Sequence, residues 1–276
     1  MAVSEMSPRP DLRIAVVGLG AIGTKVVEAL DRGMDGLVLT AVSVQNPDKH
    51  RSRLAKLKKP PAILPIEELA DVADIVIECA PGQLVRSIVA PFVERGKTAV
   101  VLSAGALLEH DDLIELAKQH GGQIVVPTGA LIGLDAVTAA AIGKIHSVKM
   151  VTRKPPRGLA GAPYVVANNI DLDRIKEPRK IFDGTAREAA RGFPANVNVA
   201  AALSLAGIGP DRTTIEIWAD PSVTRNMHRI EVDSDSASFS MAIENIPSEN
   251  PKTGLITALS AIACLRKLRG SLRVGT

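Results

Sequence analysis

Aromatic residues, net charge and long apolar runs are all scarce in this chain of 276 residues. Aromatic side chains make up 2% of the sequence and the formal net charge is +3, which argues against base-stacking platforms and a strong phosphate-binding surface. No apolar stretch reaches the length of a membrane span, and the N-terminal residues lack the apolar core of a signal peptide. We therefore expect a cytoplasmic protein with neither nucleic acid nor a membrane as its partner.

Cysteine is equally rare, and the two that occur, Cys79 and Cys264, lie inside apolar runs. That placement is typical of reduced thiols in a protein core and not of a disulfide framework. The spacings of His, Cys, Asp and Glu match no metal-ligand pattern, so no metal site is predicted. The remaining composition, with 46% hydrophobic and 23% charged residues, is that of a globular protein able to bury a full core.

The most informative stretch is a glycine-rich turn that follows an apolar run beginning at Leu12. Gly18 suits a sharp turn, Gly20 lets the backbone approach a pyrophosphate, and Gly23 allows close packing of the next helix. Such a turn places phosphate groups at the helix N-terminus, although an ordinary strand-to-helix turn is the alternative. The predicted cofactor contacts here are Gly18, Gly20, Ala21, Ile22 and Gly23.

Up to residue 133 the chain alternates short apolar runs with helical patterns. This alternation is typical of a parallel sheet with helices on its faces. Several runs end in small residues at the edge where open α/β sheets bind ligands, and one of them ends at Ala80. We predict a Rossmann-type α/β domain over residues 1–133, with Ala80 among its cofactor contacts.

After residue 145 the pattern changes. Strand-like runs succeed one another at 213–219, 227–233 and 236–243, which predicts an α+β domain with a mainly antiparallel sheet over residues 134–246. A last Ala/Leu-rich helix opens with a proline in the favoured first turn. We assign residues 247–276 to a helix that returns to the first domain.

Histidine is the side chain best suited to acid–base chemistry near neutral pH. A nicotinamide cofactor supplies the hydride acceptor, so the protein needs to add only orientation, charge and a general acid or base. His228 and His146 each fall on the apolar side of a strand-like run. Periodicity does not separate them, and for either one a hydrogen-bonded core histidine is the alternative. The other histidines lie in polar settings: His50, His110 and His120.

Several motifs resemble, in order along the chain, those of the L-aspartate dehydrogenase family. Beyond the glycine turn they are TGALIGLDA at 128–136, FPANVNVA at 193–200, WADPSVTRNMHRIE at 218–231 and NPKT at 250–253. The resemblance implies that His228 is the catalytic residue and that His146 belongs to the core. It also implies that Ala130 and Asn198 contact the cofactor. The implied second domain is like that of dihydrodipicolinate reductase, and the implied assembly is a homo-oligomer, namely a dimer.

The resemblance further implies oxidation of the Cα–N bond of L-aspartate, with hydride transfer to the nicotinamide. Iminosuccinate then hydrolyses to oxaloacetate and ammonia, or the reaction runs in reverse as an amination. Two alternatives stay open. One is a reductase of another imine or of a semialdehyde dicarboxylate, and the other is a non-catalytic sensor that binds a dinucleotide, since one fold serves unrelated functions.

A dicarboxylate substrate requires cationic or multiple-donor partners. Lys252, Thr253 and Arg225 are the predicted substrate contacts, and Lys252 is favoured because it lies in a matched motif at a helix start. Arg153 and Lys154 are further candidates near the matched motifs. For each of these residues a solvated surface role is the alternative.

The choice between NAD and NADP depends on the residues after the second strand. An NAD enzyme of this fold commonly has Asp or Glu at the end of that strand for the ribose 2′-hydroxyl. Residues 43–53 carry no acid at the strand end, and Asp48 comes late. Lys49, Arg51 and Arg53 suit a 2′-phosphate. The predicted cofactor is therefore NAD or NADP, with NADP at least accepted.

Overall fold

Two β-sheets organise the chain over the residues that the structure, a computed structural model, describes, namely 10–194, 197–247 and 254–276. The strands are β1 (Leu12–Val17), β2 (Leu37–Ser43), β3 (Ala62–Ile63), β4 (Ile75–Glu78), β5 (Thr98–Val101), β6 (Gln123–Val125), β7 (Ile145–Lys154), β8 (Arg179–Thr185), β9 (Thr213–Ala219), β10 (Asn226–Ser234) and β11 (Ser238–Asn245). The helices are α1 (Ala21–Arg32), α2 (Pro47–Leu54), α3 (Leu69–Val72), α4 (Val85–Val93), α5 (Ala104–Leu107), α6 (Asp111–His120), α7 (Leu134–Ala140), α8 (Pro163–Ala167), α9 (Ala186–Gly192), α10 (Asn198–Ala206) and α11 (Leu255–Arg269).

The first sheet has the strand order β3-β2-β1-β4-β5-β6, and all its pairs are parallel. Its strands are apolar on both sides because helices cover both faces. Ala15 and Val17 pack in one apolar cluster with α3, α4 and α6, whereas Ile14 and Val16 pack in another with α1. The order reverses between β1 and β4, which is where such sheets bind ligands. The predicted Rossmann-type domain is confirmed.

The second sheet has the order β11-β10-β7-β9-β8. The β7–β9 pair is parallel and the other three pairs are antiparallel, so the predicted mainly antiparallel sheet is confirmed. One face packs Met150, Ile215 and Ile230 against helices α7 to α10. The other face carries the half-buried Trp218 among charged residues. One face of this sheet therefore belongs to the hydrophobic core, whereas the other carries charged and half-buried side chains.

Helix α11 packs against the first sheet's helix α1. Ala261 and Leu265 of α11 share an apolar cluster with Val26 and Leu30 of α1. The C-terminal helix thus contacts the first sheet, while the domain limits at 133 and 246 stay predictions. None of the described helices is long and apolar enough to cross a membrane.

His146 does not take the core position that the resemblance implied. Its side chain is exposed, although Val148 and Met150, which have the same alternation, are buried. The pairing of β7 with β10 shifts register at this end, so that Ser234 lies opposite Ile145 and Asp233 opposite Ser147. Such a bulge re-aims one side chain. The parity argument for His146 is therefore wrong.

Candidate active site

The glycine turn between β1 and α1 has the geometry that close backbone approach requires. Gly18 has a φ of +87° and its N–H donates to the Ser43 carbonyl oxygen at 2.9 Å. A Cβ on Gly18 would lie 2.5 Å from the Cys79 carbonyl oxygen, and one on Gly23 would lie 1.9 Å from that of Gly18. Both positions exclude any other residue type on steric grounds.

Gly20 differs from these two glycines because a Cβ there would meet nothing within 4 Å. It is the N-cap of α1, a helix of 12 residues, and no side chain of the described residues caps it. The first turn of α1 contains no acidic residue. Free N–H groups at a helix start, facing open space, fit a pyrophosphate.

A cleft extends from this turn to the second sheet. The residues lining it from the first sheet, its loops and α1 include Ile22, Cys79, Ala80, Leu102, Ser103, Thr128, Gly129 and Ala130, and Asn198 lines it from the start of α10. The second sheet adds Lys154, Asn226, His228 and Asn245, and α11 adds Gly254 and Thr257 at its start. Backbone and small residues thus line one side, and polar side chains line the other.

His228 lies on β10 with its imidazole inside the cleft, and its side chain is only 4% exposed. The predicted inward orientation is confirmed, since Arg229 is exposed while Asn226, His228 and Ile230 are buried. Its Nδ1 is 3.1 Å from the Thr152 hydroxyl. Burial, and then the charge of Lys154, lower the pKa of His228 to about 3. The imidazole is therefore neutral at neutral pH.

Lys154, Asn226 and Asn245 form a polar row across three strands. Asn226 lies opposite Asn245 in the β10–β11 ladder. Met227 lies opposite Arg153 in the β10–β7 ladder, so the next step brings Asn226 beside Lys154. Neighbouring strands are about 4.8 Å apart, and Lys154 and Asn245 are each 3% exposed. The row therefore presents one cation and two amides to the cleft, one step along the sheet from His228.

Asn245 also connects the second sheet to the loop after β6. Its Nδ2 donates to the Ala130 carbonyl oxygen at 2.9 Å. A carbonyl oxygen only accepts, so this contact fixes the orientation of the amide. Among the described residues, Oδ1 of Asn245 is the buried side-chain polar atom that lacks a hydrogen-bond partner. Buried acceptors are normally satisfied, so this atom suits a ligand that brings an N–H group.

Two further hydrogen bonds join the loops around the cleft. Oδ1 of Asn198, at the start of α10, accepts from the Gly105 N–H at 3.1 Å. The Gly129 N–H donates to the Ser260 hydroxyl of α11 at 3.1 Å. The cleft is thereby built from distant parts of the chain that hold one another in place.

Comparisons with known proteins agree with this geometry. Residues 135–268 match the family described as "Aspartate dehydrogenase, C-terminal", and residues 18–127 match "Homoserine dehydrogenase, NAD binding domain". The L-aspartate dehydrogenase of Bradyrhizobium diazoefficiens is 65% identical over 99% of this chain and 98% of its own. L-aspartate dehydrogenase 3 of Bordetella bronchiseptica is 56% identical over 98% of this chain and 100% of its own. The chain belongs to the L-aspartate dehydrogenase family. The family resemblance in its motifs is thus confirmed.

The fold has a solved counterpart in the same family. The aspartate dehydrogenase of Thermotoga maritima superposes with a TM-score of 0.73 at 22% identity, covering 96% of this chain and 99% of that one. At this identity the likeness concerns the fold. The family match and the glycine turn make the chain an NAD(P)-dependent dehydrogenase, and the open helix start at Gly20 fits that cofactor.

The structure brings together most of the predicted site residues of this dehydrogenase. Ile22, Ala80, Ala130, Asn198 and His228 line the cleft, and the other predicted cofactor residues form the turn itself: Gly18, Gly20, Ala21 and Gly23. Lys252 and Thr253 lie outside the described residues. Their roles, like those of the others, stay predictions.

The basic candidates among the described residues are Arg225, Arg153 and Lys154, and they lie on different surfaces. Arg225 is exposed and lies outside the set that lines the cleft. Arg153 lies on the outer face of the second sheet, where it contacts an Asp220 oxygen at 3.2 Å and lies 4.7 Å from the Trp218 ring centroid. Lys154, one residue later, faces inward. Strand alternation therefore selects Lys154.

Sequence reasoning did not identify the two amides, Asn226 and Asn245. Asn226 shares its alternation with His228, which was a usable signal. Asn245 had none, because its position beside Asn226 depends on the β10–β11 register.

The end of β2 has no acid next to the glycine turn. Asn46 caps α2 by accepting from the Lys49 N–H at 3.3 Å. Arg53 is paired with Glu28 at 2.5 Å and Arg51 with Asp48 at 3.5 Å, while Lys49 is exposed. This arrangement leaves the predicted acceptance of NADP in place as a prediction.

Proposed function

We propose that this chain catalyses the NAD(P)-dependent oxidative deamination of L-aspartate, or the reverse amination. The observation that supports this proposal most directly is that His228 and Lys154 line the same cleft as Ile22, which lies in the first turn of α1 after the glycine turn. Relatives over nearly the whole chain are named for this activity. Iminosuccinate is the immediate product, and water converts it to oxaloacetate and ammonia.

His228 is the proposed general base. A neutral imidazole can take a proton from the substrate ammonium or from the water that attacks the imine. The Thr152 hydroxyl, at 3.1 Å from Nδ1, holds the ring and leaves Nε2 for this task. A substrate carboxylate beside Lys154 offsets that residue's positive charge and so raises the pKa of His228 from its low value. A nicotinamide bound in the cleft would supply the acceptor for the hydride that leaves the substrate Cα.

Lys154 is the proposed partner of a substrate carboxylate. Lys154 is only 3% exposed, and its ammonium can form a charge-assisted hydrogen bond with a carboxylate that enters the cleft. The unpartnered Oδ1 of Asn245 suits the substrate's amino group, because that group donates and the oxygen accepts. Lys252 and Thr253 complete the proposed substrate contacts, whereas Arg225, which is exposed and outside the cleft lining, stays a prediction from the sequence alone.

The proposed cofactor contacts combine backbone and side-chain groups. They are Gly18, Gly20, Ala21, Ile22, Gly23, Ala80, Ala130 and Asn198. The first five surround the start of α1, while Ala80 and Ala130 follow strands of the same sheet. This distribution agrees with ligand binding at the carboxyl edge of a parallel sheet.

We also propose a homo-oligomer, specifically a dimer, and a cytoplasmic location. The outer face of the second sheet carries the half-buried Val151, Trp218 and Met227 and is the surface that supports self-association. Free thiols at Cys79 and Cys264 agree with a reducing compartment. Light scattering on the purified protein gives its mass in solution.

The test is a spectrophotometric assay of nicotinamide reduction with L-aspartate, run with NAD and NADP in parallel. Other amino acids serve as competing substrates, and oxaloacetate with ammonia tests the reverse direction. We expect turnover with L-aspartate and at least acceptance of NADP. Turnover only with another imine or semialdehyde dicarboxylate would favour the reductase alternative, and cofactor binding with no turnover would favour a sensor.

A further inference from the structure

Glu78 is a buried carboxylate that the mechanism above does not use. It is the last residue of β4, and its side chain is fully buried. The next two residues, Cys79 and Ala80, line the cleft. Burial raises the pKa of Glu78, because a carboxylate removed from water loses its solvation. A carboxylate whose burial costs free energy and which lies beside the cofactor cleft points to a functional role.

Four hydrogen bonds oppose the effect of this burial on the pKa of Glu78. Oε1 of Glu78 accepts from the Ala80 N–H at 2.8 Å and from the Ser103 hydroxyl at 3.0 Å. Oε2 accepts from the Leu102 N–H at 3.1 Å and the Ser103 N–H at 2.8 Å. Three of these partners are backbone N–H groups, which can only donate, whereas the single proton of the Ser103 hydroxyl has a second acceptor in the Ala80 carbonyl oxygen at 3.1 Å. Three N–H groups aimed at one carboxyl group favour its charged form. The pattern is that of an ionised carboxylate.

The same contacts join the ends of two neighbouring strands. Ala80 follows β4, whereas Leu102 and Ser103 follow β5, and all three line the cleft. The hydrogen-bond partners that lower the pKa of Glu78 are N–H and O–H groups of these three residues. These dipoles stabilise the carboxylate without cancelling its net negative charge, which therefore lies at the sheet edge.

We propose that Glu78 is a positioning residue that holds these two loops and also biases the cofactor toward its oxidised form. The oxidised nicotinamide ring is positively charged and the reduced ring is neutral. A buried negative charge stabilises the first relative to the second, because the interior screens charges weakly. This inference rests on the proposed function, since it requires NAD(P) in the cleft.

The test compares binding of the oxidised and reduced cofactor by titration calorimetry, without substrate. In Glu78→Gln the shape is kept and the charge is lost. We expect affinity for the oxidised form to fall about tenfold more than affinity for the reduced form. The matched control is Ser103→Ala, which removes one donor and keeps the charge. We expect Ser103→Ala to lower the affinities for the oxidised and the reduced cofactor by the same factor.

An equal loss of both affinities in Glu78→Gln would overturn the bias and leave Glu78 as a loop contact alone. If this variant does not fold, the ionisation state of Glu78 is measured instead by NMR on wild-type protein that is labelled at the glutamate carboxyl carbons. The Glu78 signal is the one least affected by a paramagnetic agent in the solvent, and a neutral Glu78 in the oxidised complex contradicts the inference. Wild type that binds neither form would instead contradict the proposed function.

Discussion

The two sheets contribute to one cleft in different ways. The first sheet is parallel and buried on both faces, so what it offers at its edge is backbone: the open position at Gly20 and the start of α1. The second sheet is covered on one face, and its inward side chains Lys154, Asn226 and His228 reach the cleft. Parallel strands end in loops whose N–H groups suit an anion, while alternate side chains of a strand share one face.

This difference separates holding the cofactor from acting on the substrate. Backbone groups bind the cofactor only where nothing blocks its approach, so a substitution that adds side-chain atoms there is expected to weaken binding. A site made of side chains depends on the identity of each group, so removed atoms damage it. Substitutions of the two kinds are therefore expected to produce different kinetic defects.

The largest expected effect follows the loss of the proposed base. His228→Asn removes the titratable group and keeps a polar side chain of similar reach. We expect turnover to fall by about 10²- to 10⁴-fold, the usual contribution of a general base, with cofactor affinity unchanged. Stopped-flow measurement of nicotinamide reduction checks this. His146→Asn is the matched control because that histidine is exposed, and full activity in His228→Asn contradicts the assignment.

The backbone side of the comparison is tested by adding a side chain at Gly20. Gly20→Val introduces atoms where nothing lies within 4 Å, in an ordinary extended conformation. We expect the folded state to lose about 1 kcal/mol, because valine is a poorer N-cap than glycine, while cofactor binding weakens by about two orders of magnitude because the phosphates need that space. Urea unfolding and cofactor titration measure the two effects. Normal cofactor affinity in this variant would exclude a phosphate site there.

The proposed carboxylate partner is tested by removing its charge. Lys154→Met keeps the length of the side chain, and we expect the Michaelis constant for L-aspartate to rise by roughly 10- to 100-fold, the worth of a charge-assisted hydrogen bond. Cofactor affinity should stay unchanged. Arg153→Met is the control, since that side chain lies on the outer face. Equal effects of the two substitutions would mean that Lys154 has no specific role.

The smallest expected effect is on stability in acid. The pKa of His228 is about 3 in the folded protein against 6.5 in the unfolded chain, so the unfolded chain takes up the proton first as the pH falls. Stability is then lost as the pH falls below 6.5, and the loss approaches about 1.4 kcal/mol for each pH unit between about pH 5.5 and 4. Urea unfolding at pH 6.5 and 5.5 should show wild type losing about 1 kcal/mol more than His228→Asn. Identical losses would show that His228 titrates normally.

The features that sequence could predict are those whose signals are local. The glycine turn could be recognised because its three glycines lie within six residues, and each of them has a different steric reason to lack a side chain. The inward orientation of His228 followed from regular alternation along one strand. The same reasoning failed for His146, because the register shift at that end of β7 depends on pairing with β10.

Two elements outside the active cleft were not anticipated from the sequence. Strand β8 contains charged residues and Gly184, a composition that reads as a loop until it pairs with β9. Helix α7 has only seven residues and follows the turn at Gly133. Their formation depends on tertiary contacts, since short elements gain most of their stability from packing.

By itself the sequence determined the dinucleotide turn, the two fold classes and the facing of His228, because these depend on steric demands and periodicities of neighbouring residues. Only the tertiary structure decided that Lys154, Asn226 and Asn245 form one row and that Glu78 joins the ends of β4 and β5. Those contacts join residues far apart in the chain. These contacts depend on the strand register, and the register depends on the pairing of all strands in the sheet.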